Sequence, residues 1–404
     1  MPTVAHVAPE LFPVPPIRGG AAELFIEQVA GRLPGWRSLV ICRGDPELAA
    51  REVKGSVSYI RLPLQGWRFR LYKRYRQLWP WYDREVWQII QQTSPDLIHV
   101  HNRPLLARYL QNRLQGRIPV LLHLHNLYES LGRRERPPSG KPLPLAACLA
   151  CSQFVLERER QRLGLGARSH FVVYNGVDPE AFPCCWAAPE LGQAVRQRYG
   201  LDLAPVVLFV GKVRESKGVV VLLEAMAYVW QQVPQAVLLL AGGTEYGRGR
   251  TDRQTPFYRR LQEQLRKAAG RVLLTGFIPP QQVAAVYQAG DVFVGPSQVE
   301  EGLGIVFLEA SASGLPIIAT RRGGIPEIVR PGVNGRLVEQ HDNAMELAEN
   351  ILELLSEGAL RETLGRQGCQ WVREHFTWEH SATRLVQVYE AVLGQRAQEE
   401  AHVP

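Results

Sequence analysis

Ser297-Gln298-Val299-Glu300-Glu301-Gly302-Leu303-Gly304-Ile305-Val306-Phe307-Leu308-Glu309 is the stretch on which the fold of this chain turns. A strand-like run, Asp291-Val292-Phe293-Val294, leads into it and Pro296-Ser297 ends that run. The pattern predicts a buried strand, a break, and a helix beginning near Ile305. Gly302 and Gly304 let the backbone come close to a ligand ahead of that helix. A glycine-bearing loop that opens a helix offers unpaired N–H groups and the positive end of a dipole, which suits a phosphate. Glu301 stands before the turn and Glu309 lies along the helix. Carboxylates beside an anion-binding turn do not hold the anion; they accept hydrogen bonds from hydroxyls. The combination predicts a phosphate flanked by polyols, as in a sugar nucleotide. The plain alternative is a pair of helix-start acids favoured by the macrodipole. A second glycine turn one strand later, Gly323-Gly324-Ile325-Pro326-Glu327, weighs against it.

Working outward, the run 206–210 reads as a strand ending in Gly211-Lys212-Val213-Arg214-Glu215-Ser216-Lys217-Gly218. This loop carries cations where the first carries acids. Lys212 and Lys217 would offset the charge of a bound diphosphate. Further strands at 237–242, 272–277, 292–294 and 317–320 alternate with helical patterns. An earlier series, with strands at 3–8, 38–42, 57–62, 96–101, 119–125, 146–152 and 169–174, precedes them. Two successive series predict two doubly wound domains facing each other across a cleft.

The opening strand is followed by a proline-rich loop, Gly19-Gly20, and a helix from 21 to 33. This again presents amides to a phosphate, although a lone Gly-Gly is common in turns. Asp-Leu-Ile-His-Val-His (96–101) and Pro-Val-Leu-Leu-His-Leu-His (119–125) are continuous apolar strands, as in a parallel sheet covered on both faces. Each ends in a histidine, where ligands bind in such folds. Between 61 and 87 arginine is interleaved with tryptophan and tyrosine. Two readings stay open there: an anionic acceptor or membrane surface, and a solvated helix packed on its own domain. No nucleic-acid-binding motif accompanies the segment, so nucleic acid is not expected.

The 404 residues fill two or three domains, and 46% hydrophobic against 21% charged residues is ordinary for a globular chain. No apolar run reaches the ~18 residues of a membrane helix, and no signal-peptide pattern opens the sequence. The expected location is cytoplasmic, with the membrane surface as the alternative address of 61–87. Residues 1–178 hold 25 Lys and Arg against 14 Asp and Glu, a net +11, whereas the remainder is 22 against 25, a net −3. Six scattered cysteines argue for buried, reduced thiols, including Cys148-x-x-Cys151, which no second pair completes into a metal site. No other metal cluster is evident.

Pro-Ser-x-x-Glu-Glu-Gly-Leu-Gly-Ile-Val-x-Leu-Glu-Ala (296–310) followed by Gly-Gly-x-Pro-Glu-Ile-Val (323–329) resembles the donor-site signature of the family 4 retaining glycosyltransferases. The resemblance implies the α/β GT-B fold. It implies an N-terminal acceptor-side domain at 1–178, a connection at 179–204, and a nucleotide-sugar-binding domain at 205–377, with a helix at about 378–394 packing back on the first. It implies a retaining, metal-independent transfer from a UDP- or GDP-type sugar to a glycan or lipid-linked acceptor, with no other cofactor. Catalytic roles fall on His125, Lys212, Lys217 and Glu301. Donor binding falls on Gly19, Gly20, Gly211, Arg214, Gly302, Leu303, Gly304, Ile305 and Glu309. Relatives carry Gly-Arg where this chain has Gly211-Lys212, and lysine lacks the two-pronged fork of arginine. Residues 244–251 resemble glycosyltransferase-like spore-coat proteins, so a weakly active or structural member stays an alternative, as does a sugar-nucleotide epimerase of the same fold. No G-x-G-x-x-G follows the opening strand, which excludes a nicotinamide dehydrogenase.

Overall fold

The computed structural model describes residues 1–17, 19–63, 81–127, 145–163, 169–188, 190–243, 256–268 and 271–401. The central part of the aromatic–basic run (64–80) and the spore-coat-like segment 244–251 lie outside the described residues. The chain divides into two compact units. Unit 1 comprises Met1–Asn175 and Trp378–Pro404, and unit 2 comprises Gly176–Thr377.

Unit 1 is built on β1 (Thr3–Val7), β2 (Arg37–Arg43), β3 (Arg51–Lys54), β4 (Val57–Leu62), β5 (Leu97–His101), β6 (Val120–Leu124), β7 (Ala147–Ala150) and β8 (Ser169–Val172). Their spatial order is β3-β4-β2-β1-β5-β6-β7-β8, parallel except for β3 against β4. Every residue of β5 and β6 is buried, as apolar runs in a sheet covered on both faces require. The helix Trp378–Ala401 lays Trp378, Leu385, Val388, Tyr389 and Val392 on this core, against Phe25, Trp36 and Leu97. No helix among the described residues is long and apolar enough to cross a membrane. The described ends of the aromatic–basic run face inward. Arg61 is buried and donates to the Val14 carbonyl at 2.8 Å, and the Tyr82 hydroxyl donates to the Ala8 carbonyl at 2.9 Å.

Unit 2 has β9 (Val206–Val210), β10 (Val237–Ala241), β11 (Val272–Gly276), β12 (Val292–Gly295), β13 (Ile317–Thr320) and β14 (Gly335–Val338), in the order β11-β10-β9-β12-β13-β14 and all parallel. The order reverses between β9 and β12. Such a switch point, at the carboxyl ends of the strands, is where ligands bind in open parallel sheets.

Residues 179–204, expected as an interdomain connection, are packed into unit 2. Cys184 is disulfide-bonded to Cys369, the Trp186 indole donates to the Gly314 carbonyl at 2.8 Å, and the helix Glu190–Tyr199 lies along the helix Pro280–Gln288. The segment carries its own apolar and sulfur anchors, which periodicity alone does not register. The disulfide also corrects the expectation of wholly reduced thiols. Cys42, Cys148 and Cys151 are buried and not disulfide-bonded, and burial pushes the Cys148 thiol up to about 12, so it is inert.

Candidate functional site

The site in unit 2 begins where β9 and β12 end. After β9 the chain turns through Gly211, a short 3₁₀ turn Glu215–Lys217 and Gly218 before the helix Val219–Gln232. Gly218 has φ 73°, and a Cβ there would lie 1.8 Å from the Pro296 carbonyl oxygen. Only glycine allows the loop after β9 to press on the loop after β12 at that point. The contact is pinned by the Gln298 N–H, which donates to the Ser216 carbonyl at 2.9 Å.

This closeness brings the predicted residues Lys217 and Glu301 together. Lys217 Nζ lies 2.5 Å from Glu301 Oε1, and the Ser297 hydroxyl donates to the same oxygen at 2.6 Å. Glu301 is held from behind as well. Gly323 (φ 60°) leaves no room for a side chain against the Glu301 backbone, and the Gly324 N–H donates to the Glu301 carbonyl at 2.9 Å. Gly323 and Gly324 thus fix the Glu301 backbone, while Lys217 and Ser297 hold its carboxylate. Ser297 stood within the decisive stretch and its role went unread. Its hydroxyl is the kind of short donor that fixes a carboxylate's rotamer.

Leu303 is buried, and the helix Ile305–Ala312 starts behind Gly304 with no side-chain cap. Gly302 precedes this start. Its first amides are left to other partners, as helix geometry dictates. Glu309 sits in the second turn and is treated differently from Glu301. Its Oε2 accepts from the Tyr287 hydroxyl at 2.7 Å, and burial pushes its carboxyl up to about 7 against the opposing effect of that hydrogen bond. The two acids have separate partners and do not share one. Tyr287 was missed because a tyrosine inside an apolar helix reads as core.

Lys212 follows Gly211. Burial pushes its ammonium down to about 7, with Arg214 and Lys217 adding like-charge repulsion. Arg214 itself is exposed. A bound diphosphate would reprotonate Lys212, so binding at pH above about 7 must draw a proton from solvent. The affinity for a nucleoside diphosphate is expected to fall with rising pH, by up to about tenfold per unit. Lys212→Arg, charged throughout this range, should flatten that alkaline limb in calorimetric titrations; an unaltered limb would exclude Lys212 as its source.

In unit 1, Gly19 and Gly20 precede the helix Ala21–Ala30. The carboxylate of Glu23 lies against Gly20, and burial pushes it up to about 8. An acid on the inward face of an apolar helix was the signal for it. His125 is buried, and its imidazole is held low, to about 3, by that burial. It does not stand alone. Its Nε2 lies 2.9 Å from His101 Nδ1, and its ring stacks on His123 with centroids 4.1 Å apart. Its backbone N–H donates to the Asn102 side chain at 2.8 Å. The histidines read singly in the sequence form one group.

Residues 194–371 match the family model described as glycosyl transferases group 1, and residues 22–181 match that of glycosyltransferase family 4. The putative glycosyltransferase YtcC of Bacillus subtilis is 30% identical over 396 residues, covering 96% of this chain and 92% of that protein. Spore coat protein SA of the same organism is 28% identical over 393 residues, covering 96% and 99%. Among solved structures, Anabaena HepE in complex with UDP and glucose superposes with a TM-score of 0.74 at 21% identity, covering 96% of this chain and 99% of that one.

Proposed function

Because the chain belongs to the glycosyl transferases group 1 and is a glycosyltransferase with two Rossmann-like domains of the GT-B type, we propose that it transfers a sugar, with retention and without a metal, from a UDP- or GDP-type donor to a glycan or lipid-linked acceptor. The observation that carries this reading is the joining of Lys217, Glu301 and Ser297 by two glycine contacts at the switch point of unit 2. Lys217 and Lys212 take the diphosphate, with Arg214 beside them and the amides of 302–305 completing the cradle. Glu301 accepts from sugar hydroxyls and Glu309 from the ribose. The glycosidic carbon–oxygen bond to the diphosphate breaks as its leaving oxygen takes the acceptor's hydroxyl proton on the same face. The acceptor oxygen then forms the new bond to the anomeric carbon. Lys217 and Lys212 stabilise the charge that accumulates on the diphosphate. His125, neutral at physiological pH, serves as a hydrogen-bonding group and not as an acid. The basic excess of unit 1 suits an anionic acceptor, and 61–87 is the segment proposed to meet a membrane-borne one.

The test is a thermal-shift panel of UDP, GDP, ADP and dTDP, followed by assay of the matching sugar nucleotide in excess EDTA. A ligand binding only the folded state raises the melting temperature. A shift with UDP or GDP and transfer persisting in chelator are expected; no shift with any nucleotide, or activity restored only by Mn²⁺ or Mg²⁺, would overturn the respective part. The likeness to spore coat protein SA favours one second reading, a glycan-binding structural protein. That reading predicts nucleotide binding without release of diphosphate from the donor.

A further inference from the structure

Alternation along a strand puts residues two apart on one face, and register puts neighbours side by side. His99 and His101 share a face of β5. His6 on β1 is in register with His99, and His123 on β6 is in register with His101. With His125, five imidazoles lie together in the interior of unit 1, all buried. Phe25 packs on His123 and His125 with centroids 4.8 Å away in each case, and Tyr389 packs on His99. Apolar core is the ordinary content of such a face, and five polar rings there need partners. His6 Nε2 and His99 Nε2 have none among the described residues.

We propose that His6, His99 and His101 form a binding site for a late first-row transition ion of the zinc class. Each offers a ring nitrogen, and the three nitrogens lie within 4.8 Å of one another. His6 Nδ1 and His101 Nε2 are 3.3 Å apart, which is the spacing of two nitrogens about 2.05 Å from one tetrahedral ion, roughly 3.3 Å. The His101 Nδ1–His125 Nε2 pair at 2.9 Å is closer than that and is an ordinary hydrogen bond. For two of the three ligands the outer contacts suit ligation as well, whereas His6 Nε2 has no hydrogen-bond partner among the described residues. A metal-bound histidine usually engages its other nitrogen in a hydrogen bond. His101 has Nδ1 on His125, and His99 has Nδ1 2.7 Å from the Tyr389 hydroxyl, which leaves His99 Nε2 to face an ion. Nitrogen-only ligands select against Mg²⁺ and Ca²⁺. The ion would tie β1 to β5 and, through Tyr389, to the helix Trp378–Ala401. Its three ligands are not among the residues assigned to the transfer, and His125, which is, would reach the ion only through its hydrogen bond to His101.

The test uses the full chain without a histidine tag, expressed in medium supplemented with Zn²⁺ or with Co²⁺ and dialysed against metal-free buffer. The expected result is about one ion per chain by elemental analysis, with the strong visible absorption of tetrahedral Co²⁺ in the cobalt form. Retention should be lost in His6→Gln and His99→Gln, each checked for folding by circular dichroism, and kept in His380→Gln. A folded unsubstituted chain that retains no stoichiometric ion and shows no tetrahedral cobalt spectrum overturns the proposal, whether or not the variants fold. Equal retention in folded His6→Gln and His99→Gln overturns it too.

Discussion

Replacing Lys217 by alanine is expected to lower the rate of sugar transfer about 10²–10³-fold, the range for removing one preorganised charge from a transition state. Lys217 is half-exposed and its ammonium touches Glu301 and not the core. The variant should therefore fold and melt like the parent. The loss should fall mainly on kcat, because charge on the diphosphate grows as the bond to the sugar breaks. Steady-state kinetics with the donor identified by thermal shift would measure it. Turnover equal to that of the unsubstituted chain would remove Lys217 from the mechanism.

The second large effect is expected at Glu309. Glu309→Ala should weaken donor binding about 10–100-fold, since leaving a buried hydrogen-bonding group without its partner costs about 1–3 kcal/mol. Here the loss should fall on donor affinity, as the ribose is remote from the reacting bond. The fold has a reason to tolerate the change. The Tyr287 hydroxyl keeps the Val306 carbonyl within reach at 3.4 Å, and a carboxyl pushed up to about 7 by burial is one the folded state holds at some cost. Titration calorimetry of the bound nucleotide against the variant decides the matter, and undiminished affinity would refute the ribose role.

Much of the scaffold was legible because its signals are local. The apolar runs at 206–210 and 292–294 name β9 and β12, and Gly304 before Ile305 marks a helix start that the structure has at the same residue. The meeting of Lys217 with Glu301, 84 positions apart, was not legible. It depends on β9 and β12 being neighbours, a fact of topology that no window of sequence contains. The same holds for the histidines. His99 and His101 are visibly two apart, yet only the pairing of β5 with β1 and β6 brings His6 and His123 beside them. Cys184 and Cys369 looked like unrelated thiols for the same reason, being 185 residues distant until the segment after 176 folds onto unit 2. Glu23 was a different kind of miss. Its neighbours Ala22, Phe25 and Ile26 give the helix its apolar face, and a pattern read from apolar residues does not register an acid within that face.

The way unit 1 borrows its last helix from the far end of the chain has a consequence for biosynthesis. Unit 2 is contiguous and has its whole sequence on hand before the helix Trp378–Ala401 emerges from the ribosome. The middle of the polypeptide can therefore finish folding before the part translated first. Until Trp378, Leu385 and Tyr389 arrive, the surface formed by Phe25, Trp36 and Leu97 faces water. Until that helix is made, a nascent chain of this protein carries a greasy, unfinished flank, the kind of surface that chaperones engage.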